Sequence, residues 1–220
     1  MKERIAIGAY MIFGTLNITA QLIDAPQLAQ TSKILLVPTL IYLVFVMAGG
    51  MVTLPRLLLA VGLTFSWAGD ILLLFPDEEI YFLGGLGMFL VAQVLYTIVM
   101  YKSAYSKPRV NVKALLPIVL YGVILFYFIL PHTGNLAGPI IAYAACILGM
   151  VSMARFRQGK TSDESYQLAF FGAALFVLSD SFIALDKFVI DIPLSTFWIM
   201  STYIVAQFLI VKGVMSHPGG

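Results

Sequence analysis

The sequence predicts an all-α, polytopic membrane protein with eight transmembrane helices. Its 220 residues are 60% hydrophobic and only 11% charged, with a mean hydropathy of +0.95, whereas a soluble domain carries about a quarter charged residues. About 20 apolar residues are enough to cross a hydrocarbon core of ~30 Å. Long uncharged stretches of this kind occupy residues 5–23, 34–55, 80–101, 114–154 and 192–211.

Charged residues and turn sequences divide these stretches into eight predicted spans. The stretch 114–154 must contain two of them, because its segment 131–139 is rich in proline, glycine and other turn-forming residues. The predicted spans are 5–23, 33–49, 55–75, 80–101, 114–131, 138–155, 166–186 and 194–212. The connections are short, so residues 1–220 are predicted to form a single transmembrane domain. The first span is too long for a cleavable signal peptide and lacks a small-residue cleavage site.

Lysine and arginine are distributed unevenly between the two sides of the predicted bundle. Of the 13, eleven lie on the side that holds both termini, while Lys33 and Lys187 lie on the other side. Cytoplasmic segments carry an excess of these residues, so both termini are predicted to be cytoplasmic; for a bacterial source the membrane would be the inner or plasma membrane. The net charge of +2 therefore reflects topology, and we expect no nucleic-acid partner. The single cysteine, Cys146, excludes an intrachain disulfide.

Two aspartates interrupt apolar runs in matching ways. Asp70 lies in GLTFSWAGDILLLF and Asp180 lies in GAALFVLSDSFIAL, each eight residues after a glycine, and a Val-Ala-Gln triplet follows in each half. These similarities suggest an internal duplication, 1–106 and 107–220. Asp70 is six residues before Pro76 and Asp180 is six before Asp186, so both are predicted ~9 Å inside the outer boundary, at 1.5 Å per residue.

A carboxylate within a membrane is costly, and it usually faces the bundle interior or a wet cavity with a partner. We therefore expect the two aspartates to share one pocket that opens outward. Each polar side chain at similar depth could instead serve only to hold helices together. Lys33, at the predicted start of the second span, is interpreted either as an interfacial lysine or as an anion binder, for a phosphate head group or for one of the aspartates. The other candidate pocket residues are Asn17, Ser66, Gln93, Tyr96, Tyr203 and Gln207.

Two classes of function suit paired intramembrane carboxylates. A hydrolase can use one as an acid and the other as an anion, and a small proton-coupled transporter or channel can use both to move protons. A non-catalytic lipid-binding protein is a third alternative. No histidine lies within a predicted span, which argues against a zinc hydrolase, and nucleotide-binding glycine motifs and a serine nucleophile elbow are absent. We expect no metal or organic cofactor.

Several segments resemble the YhhN family of membrane proteins, which includes the lysoplasmalogenases. The segments are GLTFSWAGDILLLF, FLGGLGMFLVAQVLY, FFGAALFVLSDSFIAL, YIVAQFLIVKG and TSKILLVP. The resemblance implies an eight-helix hydrolase that cleaves the vinyl ether bond of lysoplasmalogen to a fatty aldehyde and a glycerophospho-base. Its functional carboxylates would be Asp70 and Asp180. The position of Gln93 is often histidine in that family, so an acid–base role there is in doubt, because glutamine cannot transfer a proton.

The chemistry of vinyl ether cleavage agrees with two carboxylates. Protonation of the alkene carbon forms an oxocarbenium ion, water attacks it, and the hemiacetal collapses to aldehyde and alcohol. Glycosidases handle a similar cation with two carboxylates. The expected partners are therefore a lysophospholipid substrate and the bilayer; whether the chain acts as a monomer or as a homodimer is left open.

Overall fold

The computed structural model describes residues 1–75 and 78–217, and over these residues the chain forms eight α-helices. Two 3₁₀ turns, Leu130–His132 and Gly134–Leu136, separate the fifth and sixth helices, where the sequence predicted a break. The helices are α1 Lys2–Leu22, α2 Pro26–Ala48, α3 Leu54–Leu72, α4 Glu79–Lys102, α5 Val112–Ile129, α6 Ala137–Phe156, α7 Asp163–Phe188 and α8 Ser195–Met215. The all-α prediction is confirmed.

Seven of the eight helices in the described chain are long and apolar enough to cross a membrane. The exception is α3, whose 19 residues include Arg56 and Asp70. These two charged residues lower its mean hydropathy. Membrane crossing by α3 therefore stays a prediction, as does the internal duplication.

The structure corrects the predicted start of α2, which begins at Pro26 and not at residue 33. Proline at the first helical position is favourable because its missing N–H would have no intrahelical partner there. The amide of Asn17 on α1 donates to the carbonyl of Ala29 at 2.7 Å, which holds the added turns against α1. Lys33 consequently lies two turns inside α2 and not at its start.

Sequence-adjacent helices form antiparallel pairs, of which α1–α2, α3–α4 and α7–α8 are the most extensive. The two halves of the chain meet where α4 packs on α6 and where α8 packs on α1 and α2. A central space remains between these contacts, towards the end of the bundle opposite the termini. We call that end the far end.

α7 and α8 approach each other closely along small residues. A Cβ added at Gly172 of α7 would lie 2.8 Å from the backbone nitrogen of Ile210 and 2.9 Å from the carbonyl oxygen of Ala206. Small residues at such crossings let helix backbones approach in membranes. The crossing fixes α7, which carries Asp180, against α8, which carries Tyr203.

A buried arginine closes the bundle at the termini end. Arg157, just past α6, is fully buried and donates to the hydroxyl oxygens of Ser103 at 3.3 Å and Ser165 at 3.0 Å. Burial lowers the pKa of Arg157 to about 10, so it stays protonated at neutral pH. The sequence analysis counted Arg157 among the basic residues on the side of the termini, and in the structure it joins α6 and α7 to the segment after α4.

Candidate active site

Asp70 and Asp180 line one cavity between the two halves of the chain, which we call the central cavity. Its volume is about 90 Å³, enough for several water molecules, since one needs ~10–15 Å³. Its other polar side chains are Lys33, Tyr143, Ser179 and Tyr203, and the rest of its wall is apolar. The apolar part consists of Leu73, Phe82, Leu86, Phe89, Ile140, Ile183, Ala184, Phe188, Ile199 and Met200.

Asp70 lies in the last turn of α3, where it is buried. Its Oδ1 atom lies 3.8 Å from Nζ of Lys33, and its Oδ2 atom accepts a hydrogen bond of 2.6 Å from the phenol of Tyr203. A positive charge and a hydroxyl donor both favour the ionised carboxylate. This ion pair supports the interpretation of Lys33 as an anion binder whose partner is an aspartate.

A chain of hydrogen bonds extends from Asp70 into the bundle. The amide nitrogen of Gln207 donates to the phenol oxygen of Tyr203 at 3.1 Å, and the phenol of Tyr96 donates to the amide oxygen of Gln207 at 3.1 Å. The hydroxyl of Ser66 lies 3.0 Å from that of Tyr96. Because Tyr96 and Tyr203 use their own hydrogens towards Gln207 and Asp70, each donor in the chain points towards Asp70. This arrangement stabilises negative charge on that carboxylate.

Asp180 has a different set of partners. It is half-buried on α7, and its Oδ2 atom accepts a hydrogen bond from the phenol of Tyr143 on α6. Within the described chain it forms no ion pair. The two carboxylates therefore share a cavity but differ in charge environment, because Asp70 faces an ammonium group and Asp180 does not.

The helix ends from which the depths of Asp70 and Asp180 were predicted differ from those in the structure. α3 ends at Leu72, two residues past Asp70, whereas α7 continues for eight residues past Asp180 to Phe188. The two spans thus end differently, and Pro76, from which the depth of Asp70 was counted, lies outside the described residues. The shared cavity is the observation that brings the aspartates together.

The remaining predicted residues divide into three groups. Ser66, Tyr96 and Gln207 stand behind the cavity wall in the hydrogen-bond chain. Asn17 joins α1 to α2 by donating to Ala29 and to the hydroxyl of Ser32, so its contacts are those of a helix-packing residue. The side-chain amide of Gln93 is buried near the phenol of Tyr143, but its atoms do not reach hydrogen-bond geometry with any described residue.

A wider polar space, the vestibule, adjoins the central cavity towards the far end. Its volume is about 590 Å³, and it shares Lys33 and five apolar residues with the central cavity. Its own polar lining consists of Gln21, Gln30, Asp186, Lys187, Ser195 and Thr196. The polar vestibule therefore lies between the far end of the bundle and the cavity that holds the aspartates.

Tyr143 is a site residue that was not predicted from the sequence. The predicted tyrosines, Tyr96 and Tyr203, lie three or four residues from a glutamine on the same helix, and Tyr143 has no such neighbour. Its only sequence signal is a phenol in an apolar helix, which is common in membrane proteins.

Over the described residues, no group of three histidine, cysteine, aspartate or glutamate side chains is placed to hold a metal ion.

Comparison with protein-family models matches residues 28–214 to the YhhN family. The chain belongs to the YhhN family. The match covers most of the chain, including the helices that carry Lys33, Asp70, Asp180 and Tyr203, and it confirms the resemblance found in the sequence. A search of solved structures found no match for this YhhN protein.

Several curated relatives of this YhhN protein are named lysoplasmalogenase. The chain is 36% identical over 154 residues to lysoplasmalogenase TMEM86A of Bos taurus, and the alignment covers 68% of this chain and 62% of the relative. It is 31% identical over 163 residues to lysoplasmalogenase TMEM86B of Rattus norvegicus, covering 74% and 63%. Human TMEM86A is 34% identical over 154 residues, covering 68% and 62%. The alignments thus span less than two thirds of each relative's length.

Proposed function

We propose that this YhhN protein is a membrane lysoplasmalogenase that hydrolyses the vinyl ether bond of a lysophospholipid. The observation that carries the proposal is the pair of carboxylates, with unlike partners, in one cavity that holds several water molecules. The family relationship supports it, because relatives at 31–36% identity are named lysoplasmalogenases. The products would be a fatty aldehyde and a glycerophospho-base.

Asp180 is proposed as the general acid. It has a phenol neighbour but no ion pair among the described residues, so it is the carboxyl group better suited to hold a proton before the reaction. It would transfer that proton to the alkene carbon farther from the ether oxygen. The electron pair of the double bond forms the new C–H bond, and the carbon next to oxygen becomes an oxocarbenium ion.

Asp70 is proposed as the stabilising anion and base. Its negative charge, held by Lys33 and Tyr203, lies in the same cavity as the developing cation, and such prearranged charge stabilises a transition state. A water molecule attacks the oxocarbenium carbon and gives up a proton to Asp70. The hemiacetal then gives its O–H proton to the ionised Asp180 while its C–O bond to glycerol breaks, and the glycerol oxygen takes the proton from Asp70, which restores both starting states.

The vestibule is the proposed place of the head group. It is more polar than the central cavity, and Lys33 lies at the boundary between them. With the termini in the cytoplasm, as the charge distribution predicts, the vestibule would face the outer side of the membrane.

Aldehyde release by the purified protein in detergent is the direct test. The substrate is a 1-alkenyl lysophosphatidylethanolamine or lysophosphatidylcholine. The matched controls are the 1-alkyl ether, which lacks the double bond that must be protonated, and the 1-acyl ester. We expect aldehyde from the alkenyl lipid and no cleavage of the alkyl lipid. Absence of aldehyde from a folded, monodisperse protein with either head group would contradict the proposal and favour a carrier.

A further inference from the structure

A third cavity, the side cavity, lies beyond Asp180, between α5, α6 and α7. It shares Ile140, Tyr143, Asp180 and Ala184 with the central cavity, so the two adjoin at the aspartate. Its remaining wall is almost wholly apolar and includes Leu125, Ala144 and Ile147. Asp180 thus has a polar route on one side, through the central cavity to the vestibule, and an apolar space on the other.

The side cavity leads on to a groove on the surface of the bundle. This surface groove shares Tyr121, Leu148 and Val177 with the side cavity. It follows α5 and α7 towards the termini end, where Pro117 and Phe170 line it. The order of spaces is therefore polar vestibule, aspartates, apolar side cavity and apolar groove.

This order of polarity is that of a lysoplasmalogen, whose vinyl ether joins a polar glycerophospho-base to a long apolar chain. The central cavity, at about 90 Å³, and the side cavity, at about 70 Å³, are each too small for the whole chain, whereas the surface groove, at about 370 Å³, is larger. We propose that the alkenyl chain lies in the side cavity and surface groove, with α5 as its lateral cover, while the vinyl ether lies between the aspartates. The inference rests on the proposed function and assigns the chain-binding site of the same enzyme.

α5 is suited to be a movable cover because it is weakly attached. Of its 18 residues, Gly122 and Ile129 are buried and the others face the surface at least in part. A hydrogen bond of 2.8 Å from the phenol of Tyr121 to the hydroxyl of Ser181 joins α5 to α7 beside Asp180. Elements with few buried apolar contacts open at low free-energy cost.

The route from the aspartate to the end of the groove is long. Asp180 and Phe170 are ten residues apart on α7, which corresponds to ~15 Å at 1.5 Å per residue. That is half of a hydrocarbon core of ~30 Å. A lipid with its head group in the vestibule would thus direct its chain from the aspartates towards the termini end of the bundle.

Chain-length selectivity tests the site. Ala144→Phe fills the side cavity, and Ala145→Phe places the same side chain on the exposed face of α6. For Ala144→Phe we expect the ratio of kcat/KM for the hexadecenyl over the hexenyl substrate to fall about tenfold or more. For Ala145→Phe the ratio should stay at the wild-type value. An unchanged ratio in Ala144→Phe, or equal loss on both substrates, would overturn the assignment.

Photolabelling tests the same site without turnover. The probe is a hexadecyl-ether lysophosphatidylcholine with a diazirine at the chain end, in phosphatidylcholine vesicles that contain the wild-type protein. We expect labelling at Ile118 and Phe170 that unlabelled hexadecyl lysolipid competes away, while labelling at lipid-facing Val123 is not competed. Competed labelling confined to α1–α4 would overturn the proposal. If the protein releases no aldehyde but shows the expected competed labelling, the proposed reaction fails and the chain site stands.

Discussion

The phenol of Tyr203 donates a 2.6 Å hydrogen bond to Asp70, from α8 to α3 and across 133 residues of sequence. It is the last link of a chain whose donors all point towards the carboxylate. Asp180 likewise accepts a hydrogen bond from a phenol, that of Tyr143, but it has no ammonium partner among the described residues. The site thus contains two aspartate–tyrosine pairs in unequal charge environments, and the separate roles proposed for the aspartates rest on this inequality.

Removing each phenol should affect the reaction differently. Hydrogen bonds to charged groups contribute about 1.5–3 kcal/mol, so Tyr203→Phe should lower kcat about tenfold to a hundredfold by weakening the Asp70 anion. Tyr143→Phe should lower kcat less, because Asp180, the proposed acid, needs no hydrogen-bond donor when it carries its own proton. The control is Tyr127→Phe, on the lipid-facing side of α5. Equal losses in both variants would contradict the assignment of acid and anion.

Asp70→Asn and Asp180→Asn should each lower aldehyde release by more than about a hundredfold. A general acid contributes about 10²–10⁴-fold, and asparagine can neither donate an acidic proton nor carry the anion. Both variants should still insert, because asparagine avoids burying a charge. Asp24→Asn is the matched control, since Asp24 is exposed at the far end with a φ of 52°, which asparagine tolerates. Near-normal turnover in either cavity variant would remove that aspartate from the mechanism.

Lys33→Met should separate two roles for this lysine. If Lys33 acts as the counter-ion of Asp70, kcat falls, because the carboxylate loses the charge 3.8 Å away that keeps it ionised. If it binds the substrate phosphate instead, KM rises and kcat changes little. We expect the fall in kcat. Lys113→Met, on the exposed start of α5, is the control, and steady-state kinetics with thermal melting gives the readout.

Gly172→Leu should destabilise the bundle. The added side chain would meet the backbone of Ile210 and Ala206 on α8 at 2.8–2.9 Å, and overpacking typically costs about 1–3 kcal/mol. Gly87→Leu is the matched control, because Gly87 is exposed on α4 and nothing lies within 4 Å of an added Cβ. We expect Gly172→Leu, but not Gly87→Leu, to lower the melting temperature of the protein in detergent. Equal Tm values for the two variants would show that the α7–α8 crossing tolerates a larger separation.

Both termini are predicted to lie in the cytoplasm. A reporter fused after Gly220 and a second one inserted within residues 132–137 should report opposite sides of the membrane. The charge distribution is the reason, with eleven of 13 basic residues on the side of the termini. Reporters that both indicate the cytoplasm would contradict the eight-span topology, because three helices, α6, α7 and α8, separate the two reporters.

Much of the architecture and the central pair of residues could be predicted from the sequence. Long apolar stretches predict helices because a lipid-exposed backbone must satisfy its own hydrogen bonds. Asp70 and Asp180 stood out because a carboxylate in an apolar run is costly, and the motifs around them identified the family. These signals are local, since each depends on a residue and its neighbours along one helix.

Other features depended on contacts between distant helices. The predicted position of Lys33 at the start of α2 was wrong, because α1 supports turns of α2 that contain too many polar residues to be recognised as part of a span. Tyr143 was missed, because a tyrosine on α6 acquires its role only when α7 brings Asp180 to it. The unequal environments of the two aspartates came from tertiary structure alone. Hydrogen bonds and ion pairs act over about 3–4 Å, and only the packed bundle brings Lys33, Asp70 and Tyr203 within that range.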